Sequence, residues 1–249
     1  MSPPMPSARY VAALIALTLC IACAGVGPIQ PRESLASKDF VDFVVRCYPV
    51  DVGVSSRPFY ENTYLAFDPR NAEALIVDPG TRSVGMEDFV TKHALRVLAI
   101  LNTHGHRDHI GGDCYYSGKY RAPVYAHAGD KEFFAKMPCA VHYFEHEEIL
   151  EIGGVEIRVL RTPGHSPGSV GFFVRGVLFS GDTLFAGGIG RTWADTNEDA
   201  WRLKKEEMAN IRNVFFVLPA ETPVYPGHDE ATTIGDEKEK NPYFQYHVE

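Results

Sequence analysis

The feature that most constrains the fold of this chain is a cluster of metal-ligating side chains directly after an apolar segment. Residues 97–101 read VLAIL and predict a buried strand, and residues 104–109 read HGHRDH. A loop at the end of a strand can turn several side chains toward one point, and imidazole and carboxylate groups suit zinc, iron or manganese. The motif therefore predicts a metal site, with these candidate ligands: His104, His106, Asp108 and His109.

Three further candidate ligands follow apolar segments in the same way. His165 ends a Thr-Pro-Gly-His turn, Asp182 lies in Ser-Gly-Asp-Thr, and His228 ends a Tyr-Pro-Gly-His turn. The glycine beside each ligand allows the backbone to approach a metal closely. Each motif alone is typical of an ordinary turn, but their order behind the HGHRDH sequence favours one shared metal centre.

Strand and helix patterns interleave along residues 40–249, without the regular alternation of a doubly wound sheet. The predicted strands are residues 43–45, 63–67, 74–77, 97–101, 124–126, 155–161, 170–174, 177–180, 214–218 and 223–225. Helices are predicted at residues 86–93 and 198–213. In the second helix, Trp201, Met208 and Ile211 are expected on one packing face, and the charged residues 202–207 on a solvated face.

These motifs, in this order, resemble those of the metallo-β-lactamase superfamily over residues 40–249. The resemblance implies an α/β fold, a single-domain, four-layer αββα sandwich. It also implies two divalent metals, with zinc expected first and iron or manganese compatible with the same donors. The first metal would be held by His104, His106 and His165, and the second by Asp108, His109 and His228. Asp182 would bridge both metals, and Asp108 and Asp182 are the expected catalytic carboxylates.

The resemblance is most specific to the type II glyoxalases, which are hydroxyacylglutathione hydrolases. β-Lactamases of this fold place cysteine or serine where this chain has Asp182, so a carboxylate there resembles the thioesterase, lactonase and nuclease branches. Residues 180–185 and 190–192 are similar to the glyoxalases, and residues 232–242 to their short bacterial form. Arg191 and Trp193 would then contact the substrate. Glu230 stands where an aromatic glutathione contact is usual, and the chain ends too soon after His228 for the helical domain of the longer glyoxalases.

The hypothesis that follows is hydrolysis of a small-molecule thioester such as S-lactoylglutathione by a metal-bound hydroxide. Two other enzyme classes stay open: a mononuclear iron persulfide dioxygenase, and another hydrolase of this fold such as a lactonase. β-Lactamase activity is disfavoured by Asp182. A non-enzymatic metal-binding protein is disfavoured because all seven ligand positions are present.

The N-terminus predicts an exported protein. Residues 1–24 combine one arginine, an apolar stretch and a small-residue exit, as in a signal peptide cleaved after Ala24. Lipidation at Cys23 is the alternative, and residues 25–39 read as a linker. A periplasmic or secreted location follows, with membrane attachment only through a lipid or an uncleaved signal.

The net charge of -8 argues against a nucleic-acid partner, because an acidic surface repels phosphate. Oligomeric state is left open. Beyond the leader, Cys47, Cys114 and Cys139 match no zinc-thiolate spacing. We interpret them as small buried residues, two of which could pair in an oxidising compartment.

Overall fold

The structure is a computed structural model that describes residues 43–53, 58–146, 148–193 and 196–245. The predicted signal peptide (1–24), the lipidation site at Cys23 and the linker (25–39) lie outside the described residues. Within the described ranges, no helix is both long and apolar enough to cross a membrane.

Two six-stranded sheets form the centre of the molecule. The first sheet has β1 to β6 side by side in chain order, antiparallel from β1 to β3 and parallel from β3 to β6. Its strands are Val44–Asp51 (β1), Tyr60–Asp68 (β2), Glu73–Val77 (β3), Arg96–Leu101 (β4), Val124–His127 (β5) and Val141–Phe144 (β6).

The second half of the chain forms strands β7 to β14. They are Ile149–Ile152 (β7), Val155–Arg161 (β8), Val170–Val174 (β9), Val177–Gly181 (β10), Leu184–Phe185 (β11), Gly188–Ile189 (β12), Pro223–Pro226 (β13) and Thr232–Thr233 (β14). The second sheet has the order β14-β13-β10-β9-β8-β7, and β11 and β12 pair as a separate short hairpin. Only β10 and β13 run parallel in the second sheet.

Helices cover the outer face of each sheet. They are Val84–Lys92 (α1), Arg107–Ile110 (α2), Asp113–Tyr120 (α3), Lys131–Phe134 (α4), Asn197–Asn210 (α5), Ile234–Lys240 (α6) and Pro242–Gln245 (α7). A 3-10 turn, Ala128–Asp130, precedes α4, and a π-helical turn, Ile211–Phe215, continues α5.

Strand alternation explains the four layers. On β2, Tyr64 and Ala66 point into the core between the two sheets, whereas Leu65 and Phe67 point outward, toward α1 and α3. A third cluster packs the second sheet against the π-helical turn and α6, with Phe215 fully buried. Each sheet is thus buried on both faces, and the predicted single-domain αββα sandwich is confirmed.

Several local predictions for the second half of the chain are wrong. Residues 214–218 are not a strand, because the helical backbone of α5 continues as a π-helical turn that ends at Phe215, which it buries, and a turn follows. Trp201, expected on the packing face, is 66% exposed, whereas Glu207, expected in solvent, is fully buried. Glu207 packs closely against the loop that contains Gly190, because a Cβ at Gly190 would lie 2.5 Å from Glu207 Oε1. The loops beneath α5 therefore decide which of its faces is buried.

A disulfide joins Cys114 on α3 to Cys139 in the segment before β6. The two cysteines are 25 residues apart in the sequence, so the bond links two separate segments of the helical layer that covers the first sheet. Such a bond stabilises the fold mainly by restricting the unfolded chain.

We therefore expect Cys114→Ser to lower the free energy of unfolding by about 2–4 kcal/mol, measured by urea denaturation. Cys139→Ser should lose the same amount, and the double variant should lose no more than either single variant. Losses that add in the double variant would contradict a shared bond.

Candidate metal centre

All the predicted ligands come after the carboxyl ends of strands, at one edge of the sandwich. His104 follows β4 in the first sheet, whereas His165, Asp182 and His228 follow β8, β10 and β13 in the second. Because β10 and β13 are parallel neighbours, Asp182 and His228 leave the sheet side by side.

A direct contact ties the two sheets together at this edge. The Val170 N–H on β9 donates to the Thr103 carbonyl at 2.9 Å, just before His104. Gly181 has a φ of 51°, and a Cβ there would lie 2.2 Å from Thr103 Oγ1. Only glycine therefore allows the backbone to bring Asp182 against the HGHRDH loop.

The first cluster comprises His104, His106 and His165. One ring nitrogen of each lies within 4.8 Å of the others, and His165 Nε2 is 2.8 Å from His106 Nδ1. His104 Nε2 is buried without a hydrogen-bond partner. The three rings thus converge as the sequence predicted for a first metal.

The second cluster comprises Asp108, His109 and His228, whose ligand atoms also lie within 4.8 Å of one another. Asp108 Oδ2 is 3.4 Å from His228 Nε2 and 3.8 Å from His109 Nε2. This cluster mixes a carboxylate with two imidazoles, a donor set that divalent zinc, iron and manganese all accept.

Asp182 lies between the two clusters. Its Oδ2 atom is 3.5 Å from His165 Nε2 in the first cluster and 3.6 Å from His228 Nε2 in the second. Its Oδ1 atom is 3.4 Å from His109 Nε2. The structure therefore brings all seven predicted ligands together, with Asp182 within 3.6 Å of a histidine of each cluster.

Hydrogen bonds on the far side of the rings orient three of the histidines. His165 Nδ1 lies 2.8 Å from the Arg191 carbonyl, and His228 Nδ1 lies 2.6 Å from the Tyr60 carbonyl. These carbonyls accept from Nδ1, which leaves Nε2 free to face the centre.

Asp78 orients the third of these rings, because its Oδ2 atom is 3.2 Å from His109 Nδ1. The same carboxylate accepts from the Thr103 N–H at 2.8 Å and from the Thr103 hydroxyl at 2.6 Å. Asp78 lies directly after β3 with a φ of 48°, so the end of that strand places its carboxylate against the ring of His109.

Burial and charge prepare the clusters for metal. Burial lowers the pKa of His104, His106 and His165, so these rings are neutral and ready to bind. Burial alone would also lower the pKa of His109, but the Asp182 and Asp78 carboxylates hold it well above its usual range. A metal must displace the proton on His109, so we expect binding to weaken as the pH falls.

The pKa of Asp182 is held well below its usual range. Burial alone would raise it, but the positive charge of the neighbouring His109 outweighs that effect. The carboxylate is therefore ionised, as a ligand shared by two cations requires.

Three buried atoms at this centre show that its residues fit metal ions. His104 Nε2, His109 Nε2 and Asp182 Oδ1 have no hydrogen-bond partner. A buried polar atom without a partner costs about 1–3 kcal/mol. Metal ions between the clusters would satisfy all three atoms, so the donor set suits two divalent cations.

A cavity of about 1080 Å³ opens onto the clusters. Arg191 and Trp193 line it, with the guanidinium carbon 4.0 Å from the indole ring centre. Phe59 also lines it, with its ring centre 4.7 Å from that of His228. Glu230 lines the cavity as well, so this acidic side chain faces the same space as Arg191.

Sequence reasoning missed several buried carboxyl groups around the clusters. Glu61 and Asp113 are fully buried, and burial raises the pKa of each well above its usual range. Glu207 is also buried, which raises its pKa to about 8. Asp130 touches both loops of the first cluster. A single acidic residue in a polar segment carries no local signal of burial, so only the tertiary structure reveals these groups.

An αββα sandwich with two His/Asp clusters at its edge defines a class of metallo-hydrolases. The chain matches the family described as the Metallo-beta-lactamase superfamily over residues 56–228, and it belongs to that family. The predicted resemblance is thus confirmed. The chain is a metallo-hydrolase whose His/Asp clusters suit divalent metals.

Two relatives narrow the comparison. The chain is 33% identical over 204 residues to the probable metallo-hydrolase YqgX of Bacillus subtilis, across 75% of this chain and 93% of the relative. It is 31% identical over 204 residues to the hydroxyacylglutathione hydrolase GloC of Haemophilus influenzae, across 74% of this chain and 93% of the relative.

Two solved structures are similar to this one. BLEG-1 B3 metallo-beta-lactamase has a TM-score of 0.67 and 31% identity, covering 80% of this chain and all of its own. TTHA1623 in a di-iron-bound form has a TM-score of 0.63 and 32% identity, covering 79% of this chain and 99% of its own.

Because Asp182 contacts both clusters, we expect Asp182→Ala to lower metal content and turnover together. Metal per protein, measured on purified samples by mass spectrometry, should fall below that of the wild type. Glu230→Gln, which removes another carboxylate of the same cavity, should keep its metal. An Asp182→Ala protein with full metal content and activity would disprove the bridging role.

Proposed function

We propose that this protein hydrolyses thioesters of the S-lactoylglutathione type. The observation that carries the proposal is the position of Asp182, a carboxylate shared by two clusters on the floor of a large cavity. The similarity to a hydroxyacylglutathione hydrolase, GloC, supports the same reaction class.

The proposed assignment gives each metal three ligands of its own. His104, His106 and His165 would hold the first metal and Asp108, His109 and His228 the second, while Asp182 would belong to both. When bound, two such cations would lower the pKa of a water molecule and polarise the carbonyl of a substrate. We propose zinc, although the similarity to a di-iron-bound structure makes iron a direct competitor at the same donors.

The chain's own catalytic contribution would be to orient the attacking water. Asp108 lines the cavity, and its Oδ2 atom lies 3.4 Å from His228 Nε2. A carboxylate in this position can accept a hydrogen bond from the water and aim it at the thioester carbon. A thiolate is a good leaving group, so the reaction does not require a strong general acid.

Arg191 links the metal clusters to the substrate cavity. Its carbonyl accepts the hydrogen bond from His165 Nδ1, while its guanidinium stacks on Trp193 at the cavity wall. The backbone of Arg191 thus orients a ligand, and its side chain can pair with a substrate carboxylate. Glu230, on the same cavity, disfavours an anionic group nearby, so we propose that the glutathione moiety is held mainly from the Arg191 side.

We also propose that the mature protein acts outside the cytosol. The Cys114–Cys139 disulfide supports this location, because structural disulfides persist in oxidising compartments. N-terminal sequencing of the mature protein tests the proposed cleavage after Ala24, and a mass increase at Cys23 would instead indicate a lipid.

One substrate panel on a single purified sample tests the proposed activity. It comprises S-lactoylglutathione, a lactone, nitrocefin and glutathione persulfide, with oxygen consumption and metal content recorded alongside. We expect the thioester to give the highest kcat/KM and the persulfide to consume no oxygen. Oxygen uptake without thioester hydrolysis would instead establish a dioxygenase, and preferential nitrocefin cleavage would establish a β-lactamase.

Arg191→Ala should raise the KM for S-lactoylglutathione by about tenfold, the effect of losing one hydrogen bond to a charged group. The kcat should change little, because the carbonyl that orients His165 is retained. Arg191→Lys, which keeps the charge, should have an intermediate KM. An unchanged KM in Arg191→Ala would remove this residue from the substrate site.

A further inference from the structure

Asp130 is a buried carboxylate outside both metal clusters. It ends the 3-10 turn after β5, and only 1% of its surface is exposed. Its Oδ2 atom accepts hydrogen bonds from the Gly105 N–H and the Ser166 hydroxyl, each at 2.7 Å. Its Oδ1 atom accepts a third, also at 2.7 Å, from the Gly168 N–H. Both carboxylate oxygens are therefore engaged by donors of the protein.

The three donors belong to the two loops that carry the first cluster. Gly105 is the middle residue of the His-Gly-His sequence, and Ser166 and Gly168 follow His165. One carboxylate thus joins loops that lie far apart in the sequence. Where these loops meet, His165 Nε2 lies 2.8 Å from His106 Nδ1.

The contact at Gly168 is too close for any other residue. A Cβ there would lie 2.6 Å from Asp130 Cγ. The Ser166 hydroxyl, besides its contact with Asp130, lies 2.8 Å from the Ser169 hydroxyl. The loop after His165 is therefore folded around the carboxylate.

The second cluster is held by different groups. His109 is oriented by Asp78, and His228 by the Tyr60 carbonyl. Asp78 also binds the Thr103 hydroxyl, which lies 3.1 Å from His104 Nδ1. These supports lie on other elements than Asp130, so a change at Asp130 leaves the groups that orient His109 and His228 in place.

We propose that Asp130 is a positioning residue that fixes the spacing of the first cluster and thereby sets the affinity of that cluster, and not of the second, for its metal. Replacing the carboxylate with an amide tests this directly. An asparagine side chain has one oxygen that accepts hydrogen bonds and one nitrogen that only donates them. Either the Gly168 N–H, or the Gly105 N–H together with the Ser166 hydroxyl, would therefore face a donor instead of an acceptor. The loops must then separate or leave a buried donor unpaired.

The experiment titrates Zn²⁺ into metal-free protein in competition with a chromophoric chelator, which gives the affinity of each equivalent. Two reference variants identify the sites, because His165→Ala removes a ligand of the first cluster and His228→Ala one of the second. We expect Asp130→Asn to weaken the same equivalent as His165→Ala, by about 10- to 100-fold. The other equivalent should stay close to its wild-type affinity.

A core variant separates positioning from general instability. Val174→Ala creates a cavity in the core between the sheets and lowers the melting temperature. It therefore shows what general destabilisation alone does to the two Zn²⁺ affinities. It should leave both Zn²⁺ affinities unchanged. The proposal would be overturned if Val174→Ala weakened binding of the first equivalent as Asp130→Asn does. It would also be overturned if Asp130→Asn weakened both equivalents alike, weakened neither of them, or weakened only the second.

Ser166→Ala supplies an independent check through the same carboxylate. We expect it to weaken the first equivalent by less than Asp130→Asn, and to add little in the double variant, because both changes break one shared contact. Fully additive losses would contradict that coupling. Since the readout is metal affinity, failure of this proposal is distinguishable from failure of the thioesterase proposal.

Discussion

The rest of this structure depends on one constraint: seven side chains that can bind a metal converge on a largely buried point. Several of their atoms have no hydrogen-bond partner in the protein. Unpaired buried atoms such as His104 Nε2 and Asp182 Oδ1 are unfavourable unless a cation completes them. These unpaired atoms lie beyond the carboxyl ends of the strands, where short loops from both sheets reach the same edge. Backbone features nearby, such as the positive φ of Gly181 against Thr103, follow from the need to bring these loops into contact.

The convergence is maintained by a surrounding layer of hydrogen bonds that is divided between the two clusters. Asp130 joins the loops of the first cluster, and Asp78 supports His109 in the second. Main-chain carbonyls complete the layer, and the Arg191 carbonyl on His165 also brings that residue's side chain to the cavity wall. The orientation of His165 and the wall of the cavity are therefore linked through Arg191.

The cavity is where this chain departs from the enzymes that its motifs resemble. Arg191 and Trp193 present a cation on an aromatic surface, which suits a carboxylate-bearing substrate. Glu230 lines the same space with the opposite charge, so the electrostatic character of the cavity is divided. Arg191 and Glu230 thus offer opposite charges to a molecule bound in this cavity. An exported location, if the leader acts as proposed, would expose the enzyme to thioesters other than those of the cytosol.

Much of this protein was determined by local sequence, because ligand motifs and strand patterns are short-range features. The strands at residues 155–161 and 170–174 match their predicted bounds. Alternating or continuous apolar residues favour a strand whichever elements pack against it. Candidate ligands such as His104 and His228 were identifiable because they closely follow apolar strands. The face buried by α5 was decided by packing, so Trp201 is exposed and Glu207 is buried. The predicted strand at residues 214–218 is instead the end of a π-helical turn, Ile211–Phe215, and the turn that follows it. The role of Asp130 was likewise decided by the tertiary structure, because a carboxylate's partners lie on loops that only the completed sandwich brings together.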